Sequence, residues 1–305
     1  MRVFVTGGTG AIGRHTVPAL VAAGHEVTAL ARGADKAATL AAQGATAVQE
    51  SLFDVDALTK AFAHHDAVVN LASALPSTAQ FASAKAWSRA YEVRLKGSTS
   101  VVDAALAADV PVVVQESVAM LYKPQGDTWI DETMPVDRYP NAKGNHAAEA
   151  NAQRFTEAGG TGIILRFGLF YGQGAAHSEE MLAQAKRHIA VMLGPAGVYQ
   201  SSIHVIDGAE AVACVLTADA GIYNVVDDKP LTKREFADAL ASAVHTKPWL
   251  RPPGRAALLL GDRLTSLTRS LRVSNGKIRT ATGWTPSYPS AREGLAGTAA
   301  ALGLQ

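Results

Sequence analysis

Short apolar runs alternate along this chain with stretches of helical spacing. Arg2 to Thr6 is a β-branched and aromatic run that reads as a buried strand. Ala11 to Ala23 then carries apolar residues at helical spacing, and Glu26 to Ala31 reads as a second strand. Ala34 to Gln43 is an alanine-rich helix stopped by Gly44. Ala45 to Gln49 is a third strand, and Asp54 to His64 a helix opened by an aspartate cap. Asp66 to Leu71 makes a fourth strand, Trp87 to Ala108 a long helix, and Val110 to Gln115 a fifth strand. Asn141 to Glu157 is again helical, and Gly162 to Phe167 is a sixth strand. This alternation predicts an α/β fold, a Rossmann-type doubly wound parallel sheet with helices on both faces.

After Arg166 the texture changes. Glycine and proline become frequent and the alternation is lost, until Ile222 to Val226 and the helix Thr232 to Val244 return to order. Residues 1–166 are therefore expected to form the nucleotide-binding domain, with later returns near 200–226. Residues 167–305 are expected to be mainly a smaller substrate-binding lobe. From Lys247 onward the chain carries several prolines and a basic stretch, Arg263 to Arg279. No internal repeat or low-complexity tract is visible.

The turn after the first strand brings in the first candidate chemistry. Gly7 and Gly8 permit a tight turn, Gly10 lets backbone approach a pyrophosphate, and Gly13 lets the helix pack against the strand. The helix N-terminus then offers free N–H groups and partial positive charge to phosphates. A strand–glycine turn–helix unit is the context that turns this pattern into a dinucleotide-binding expectation.

Composition narrows the partners. The chain has 305 residues, enough for a large domain and an appended lobe, with 28 Lys+Arg against 27 Asp+Glu. No long basic run suggests nucleic acid. The apolar stretches are far shorter than the ~20 residues needed to span a bilayer, and no signal peptide precedes the first strand, so the expectation is a cytoplasmic protein with no membrane partner. The single cysteine, Cys214, sits in an apolar stretch and reads as a small buried residue. His15, His64, His65 and His177 have no metal-ligand spacing, so no metal is expected.

A second constellation lies further along. Tyr139 and Lys143 form Tyr-x-x-x-Lys at the start of a predicted helix, where a spacing of four puts both side chains on one face. A tyrosine titrates near ~10, and a neighbouring ammonium would lower that value. Ser117, at the end of the fifth strand, can hold a substrate oxygen. Ligands of open α/β sheets bind beyond the C-terminal strand ends. Ser117, Tyr139 and Lys143 are thus the candidate catalytic residues.

With these motifs in order, the chain resembles an extended short-chain dehydrogenase/reductase of the NAD-dependent epimerase/dehydratase type. The resemblance rests on Thr6 to Gly13, Asn70-Leu71-Ala72, Ser117 to Tyr122, and the pair Tyr139 and Lys143. It continues through Arg166 to Gly172, Ile203 to Asp207, Tyr223-Asn224-Val225 and Gly283 to Pro286. It implies a cofactor site of Gly7, Thr9, Gly10, Ala11, Ile12, Gly13, Leu52, Leu71 and Ala72, with Tyr139 and Lys143 beside the nicotinamide ribose. Tyr139 would exchange a proton with a substrate oxygen while a hydride moves, Ser117 would hold that oxygen, and Lys143 would lower the tyrosine pKa. It also implies a homodimer through the Trp87–Ala108 helix and the helix after Asn141. The apolar residues Val101 to Ala108 suit that contact or packing on the sheet equally.

The chain departs from the family at several points, as an atypical subgroup would. Glu116 takes a place usually held by a small hydroxyl residue, Arg94 stands where an asparagine is expected, and Ala147 replaces a glutamate. The second strand ends in Arg32 rather than an acid, which favours a 2′-phosphate and so NADP over NAD. Arg166, ending an apolar strand, is a candidate substrate-binding residue, with an internal carboxylate such as Asp207 the equal alternative. His204 reads as a packed structural histidine. Arg269, Arg272, Lys277 and Arg279 read as a solvated basic face, with an anionic pocket as the alternative. The substrate is a small molecule: a nucleotide sugar, or a smaller ketone, aldehyde or polycyclic alcohol. A non-catalytic dinucleotide sensor or scaffold is the rival to an NAD(P)-dependent oxidoreductase.

Overall fold

The computed structural model describes residues 1–81, 83–190, 192–248 and 254–305. Pro252 and Pro253 of the proline-containing stretch lie outside them. The first half runs β1 (Arg2–Thr6), α1 (Gly13–Ala22), β2 (Glu26–Leu30), α2 (Ala34–Ala42), β3 (Thr46–Val48), α3 (Val55–Phe62) and β4 (Ala67–Asn70). It continues through α4 (Trp87–Glu92), α5 (Ser98–Ala107), β5 (Val112–Val118), β6 (Trp129–Ile130), α6 (Lys143–Glu157) and β7 (Thr161–Phe167). The second half contains β8 (Leu169–Tyr171), α7 (Ala176–Lys186), β9 (Tyr199–Gln200), β10 (Ser202–His204), α8 (Val205–Cys214), β11 (Gly221–Val225) and β12 (Leu231–Thr232). It ends with α9 (Lys233–Ala243), α10 (Thr265–Thr268), β13 (Arg272–Val273), α11 (Gly276–Thr282) and α12 (Ala291–Ala301).

Seven strands form one sheet in the order β11-β7-β5-β4-β1-β2-β3, and every pairing in it is parallel. This is the doubly wound sheet expected from the alternation. Runs such as Val3-Phe4-Val5 and Ala67-Val68-Val69 are buried on both sides because helices cover both faces. One core lies between the sheet and α1, α2 and α8, and includes Val5, Val17, Leu20 and Leu165. The other includes Phe4, Phe62, Val101 and Phe155. Val101, Val102, Ala104 and Ala105 of α5 are thus spent on this chain's own core.

The long helix is not uniform. Between α4 and α5, Val93–Gly97 takes π-helical form, and Arg94 within it is 4% exposed. The fifth strand is longer than its apolar run, because Glu116, Ser117 and Val118 continue the ladder against β7. The second half adds a separate core of Tyr171, Leu182, Phe236, Leu240 and Leu295. Among the described residues, three two-stranded sheets accompany it, β8–β10, β9–β12 and β6–β13, the last joining it to the first half. Cys214, expected to be buried, is exposed at the end of α8.

Candidate active site

The turn between β1 and α1 lies at the point where the sheet order reverses, β2 on one side of β1 and β4 on the other. Gly7 has φ +73°, and a Cβ there would stand 2.5 Å from the Leu71 carbonyl at the end of β4. A Cβ on Gly13 would stand 2.2 Å from the Gly7 carbonyl oxygen. Both positions therefore require glycine on geometry alone. Gly10 and Ala11 are exposed, Thr9 is half-buried, and Ile12 anchors the turn in the core. The turn offers open backbone at a helix N-terminus, the form a pyrophosphate needs. Around its mouth lie Leu71, buried, and Ala72, half-buried. Leu52 is close enough to Gly97 that a Cβ there would meet it at 2.7 Å. Arg32 lies two residues beyond the end of β2 and is exposed, with no ion pair among the described residues.

Polar residues run across the strand ends in two rungs. In the first, Thr6, Asn70 and Gln115 are neighbours in register. The Thr6 hydroxyl donates to Asn70 Oδ1 at 2.6 Å, and Asn70 Nδ2 donates to Gln115 Oε1 at 2.8 Å. In the second, Ser117, Arg166 and Asn224 are neighbours. Here Ser117 has an internal partner, and Arg166 takes the alternative of an internal carboxylate. The Ser117 hydroxyl is fully buried and donates to Glu149 Oε1 at 2.6 Å. Arg166 donates to both oxygens of the same Glu149, at 2.8 and 2.7 Å. Glu149 comes from α6, so Ser117 and Arg166 both hold this helix. Arg166's carboxylate partner is Glu149 and not Asp207, whose oxygens accept from the backbone of Ser287 and Tyr288. Arg166 also lies over the Tyr122 ring at 4.8 Å, and the Tyr122 hydroxyl donates to Asn224 at 2.8 Å.

Tyr139 and Lys143 are placed differently from the helical expectation. Tyr139 is extended (φ −102°, ψ 161°) and caps a short 3₁₀ turn, Pro140–Ala142, while Lys143 begins α6. Proline disfavours helical backbone in the residue before it, so the two side chains do not share a helix face. Lys143 is exposed. Tyr139 is 6% exposed, and its hydroxyl donates to the Met120 carbonyl at 3.2 Å. Burial pushes its pKa up to about 12, against the lowering pull of Arg269 and Arg94. Arg269 lies over the Tyr139 ring at 4.9 Å and is paired with Asp137 at 2.9 Å. Arg94 is held by Glu116 at 2.9 Å. The cations acting on this tyrosine are thus two arginines, each neutralised by its own carboxylate.

The sequence reading named both arginines but missed their carboxylate partners and their place beside Tyr139. Arg94 and Glu116 are two departures from the family pattern that compensate each other across 22 residues. The supposed basic face is likewise committed to contacts. Arg272 lies between Trp129 and Tyr199, Lys277 donates to the Ile222 carbonyl at 2.7 Å, and Arg279 pairs with Asp228 at 2.7 Å. His204 is buried and structural, its Nδ1 accepting from the Ile206 N–H at the start of α8.

The model of the NAD dependent epimerase/dehydratase family matches residues 3–226. This chain belongs to that family. A 3-diazoavenalumate denitrifying reductase from a Streptomyces species is 33% identical to it, over 97% of this chain and 99% of its own. A 4-hydroxy-2-methyl-3-oxo-4-farnesyl-3,4-dihydroquinoline-1-oxide ketoreductase from Stigmatella aurantiaca is 28% identical, over 87% of this chain and 80% of its own. Among solved structures, the UDP-glucose 4-epimerase of Thermus thermophilus in complex with NAD superimposes with a TM-score of 0.78. It is 26% identical, over 98% of this chain and 97% of its own. As a member of this family the chain is an oxidoreductase, which sets aside the sensor or scaffold alternative. Among the described residues, no group of three or more His, Cys, Asp or Glu is placed to hold a metal ion, and no helix is long and apolar enough to cross a membrane.

Proposed function

We propose that this protein is an NAD(P)H-dependent reductase of a small organic substrate, with Tyr139 as the proton donor. The observation that carries the reading is the Gly7–Gly13 turn, whose close backbone approaches leave no room for side chains and whose outer face is open. Gly7, Thr9, Gly10, Ala11, Ile12 and Gly13 would hold the pyrophosphate, and Leu52, Leu71 and Ala72 would flank the adenosine half. Bound there, a nicotinamide dinucleotide supplies the hydride. The full-length relatives named as reductases favour a small electrophilic substrate over a nucleotide sugar.

Tyr139 enters the reaction protonated, because burial keeps it neutral far above physiological pH. Its hydrogen rests on the Met120 carbonyl and can pass to a substrate oxygen that takes that place. A protonated donor suits reduction of a carbonyl better than removal of a proton from an alcohol. Exposed Lys143, one turn further on, is assigned to the cofactor ribose. Residues 1–166 and β11 carry the cofactor, and the remainder of 167–305 closes over the substrate.

Arg32 selects NADPH over NADH by pairing with the 2′-phosphate. Heat stabilisation of the purified protein by each cofactor tests both statements. NADPH is expected to raise Tm more than NADH, and Arg32→Ala to weaken NADPH binding about 10–100-fold, the loss of one charge-assisted contact. If neither dinucleotide raises Tm, the reductase reading fails.

A further inference from the structure

Tyr139 is held by a side chain from the other half of the chain. Arg269 lies over the Tyr139 ring at 4.9 Å, and its Nη2 donates to Asp137 at 2.9 Å. Its Nη1 donates to the Tyr122 carbonyl at 2.7 Å and stands 3.5 Å from the Met120 carbonyl. The Met120 carbonyl is also the acceptor of the Tyr139 hydroxyl. One guanidinium therefore touches both the ring of the proton donor and the group on which its hydrogen rests.

The backbone that carries Arg269 is fixed on both sides. Two residues before it, the Leu267 carbonyl accepts from the ammonium of Lys233 at the start of α9, which also donates to the Leu193 carbonyl. Lys233 is 1% exposed, and no carboxylate pairs with it among the described residues. One residue after Arg269, the Ser270 hydroxyl donates to the Gly126 carbonyl at 2.8 Å and accepts from the Tyr199 N–H at 3.1 Å. The Arg269 side chain is itself only 6% exposed. An anchored backbone and a buried side chain leave the guanidinium no solvated alternative.

The charges around Tyr139 come from several elements. Arg269 and Arg94 are the cations that act on it and Asp137 the anion, while Arg94 is closed off by Glu116. Asp137 keeps 39% of its side chain in solvent, which screens it more than the buried Arg269. His146 of α6 donates to or accepts at the Asp137 backbone rather than the tyrosine, with Nε2 at 2.8 Å from that carbonyl. Lys143, exposed at the start of α6, is not among the charges that move Tyr139.

We propose that Arg269 is the positioning residue for Tyr139: it holds the ring and the Met120 carbonyl together and stabilises the phenolate that remains once the proton has left. This role rests on the reductase reading and adds what governs its proton donor. In the transfer the Tyr139 O–H bond breaks and an O–H bond to the substrate oxygen forms. The electron pair stays on the phenolate, and a proton from solvent restores the phenol afterwards. The carbonyl that the hydroxyl vacates keeps Arg269 Nη1 beside it, so its departure does not orphan a buried acceptor. A cation over a ring face also gains attraction as the ring becomes negative. The electrostatic part that the Tyr-x-x-x-Lys spacing assigns to Lys143 passes here to an arginine of the second half.

Fluorine NMR of the protein with difluorotyrosine at position 139 tests this without a substrate, since the fluorinated phenol is more acidic than tyrosine and its ionisation is read directly. Arg269→Gln is expected to raise the midpoint of the titration by about one pH unit or more. Arg269→Lys keeps a charge without the planar fork and is expected to raise it less. Asp137→Asn is expected to lower it, because Arg269 is then unopposed. Lys143→Gln is expected to leave it in place. A residue that only tied the loops together would not give shifts of opposite sign at the two partners of one ion pair. Midpoints that stay put in Arg269→Gln and Asp137→Asn, or that move the same way in both, overturn the proposal. So does a rise in Lys143→Gln that equals the one in Arg269→Gln. If Arg269→Gln does not fold, Asp137→Asn and Lys143→Gln decide. The titration is run without dinucleotide, so a failure of NADPH to raise Tm would count against the reductase reading alone.

Discussion

The two halves of the chain treat buried charge in different ways. On the sheet side, Arg166 and Arg94 each meet a carboxylate from another element, Glu149 and Glu116, and Ser117 shares the first of these. In the second half, Lys233 meets only carbonyls among the described residues, and Gln200, Ser266 and Arg269 leave buried atoms unused. Both sides are polar and both are buried, so composition does not separate them. What separates them is whether a carboxylate meets the charge: Glu149 and Glu116 do so for Arg166 and Arg94, and none does so for Lys233 among the described residues. A carboxylate shared between elements ties them together, whereas carbonyls alone leave a buried charge uncompensated.

The sharpest way to break the contrast is to strip the sheet side of its carboxylate. Glu149→Ala leaves the Arg166 charge buried and alone and frees the Ser117 hydroxyl. A loss of about 3–5 kcal/mol in urea unfolding is expected, the usual cost of orphaning one partner of a buried pair. A loss below about 1 kcal/mol would mean that the network is not a brace.

Next comes Tyr139. Replacement by phenylalanine is expected to lower kcat about 10²-fold or more with little change in stability, since only one hydroxyl contact to Met120 is lost. The same residue makes a prediction about pH. Its pKa lies above the ordinary value, so the proton is retained as pH rises through 10 and leaves only towards about 12. The rate profile of reduction should therefore show no tyrosine inflection between about pH 6 and 9. An inflection near neutrality that vanishes in Tyr139→Phe would restore the lysine-tuned phenolate that the helical spacing suggested.

These two residues also show what could be read from the sequence. The Gly7–Gly13 turn was legible because its determinants are local: a strand, a turn and a helix within two dozen residues. The extended backbone of Tyr139 was legible too, since Pro140 follows it, but the Tyr-x-x-x-Lys spacing outweighed that signal. The end of β5 was hidden. Glu116 and Ser117 look like the close of a strand, and they continue it only because Arg94 and Glu149 arrive from helices far away in sequence. Lys233 was invisible for the same reason, and Arg269 was weighed only as part of a basic face or an anionic pocket. A lysine at a helix start and an arginine in a basic stretch look solvated until the fold buries them.

A smaller test separates bracing from chemistry at Ser117. Ser117→Ala removes one hydrogen bond to a carboxylate that keeps both of its contacts to Arg166. It should cost about 1–2 kcal/mol of stability and leave turnover unchanged. A large fall in kcat at unchanged stability would show that the hydroxyl turns to the substrate during reaction.

The smallest expected effect lies at the base of the second half. His204 is buried beside Tyr171 and Tyr288, and its neutral Nδ1 accepts the Ile206 N–H that opens α8. Burial holds its pKa down to about 4, below the ordinary 6.5. A depressed pKa means that folding favours the neutral ring. The contribution is whole above pH 6.5 and is lost as pH falls towards 4, where protonation both charges a buried ring and abolishes the cap. Losing a helix cap costs about 1 kcal/mol. His204→Asn can keep a cap without a titrating group, so its stability between pH 6.5 and 4 should fall less steeply than the parent's. Parallel slopes would assign the acid sensitivity of this region to its carboxylates instead.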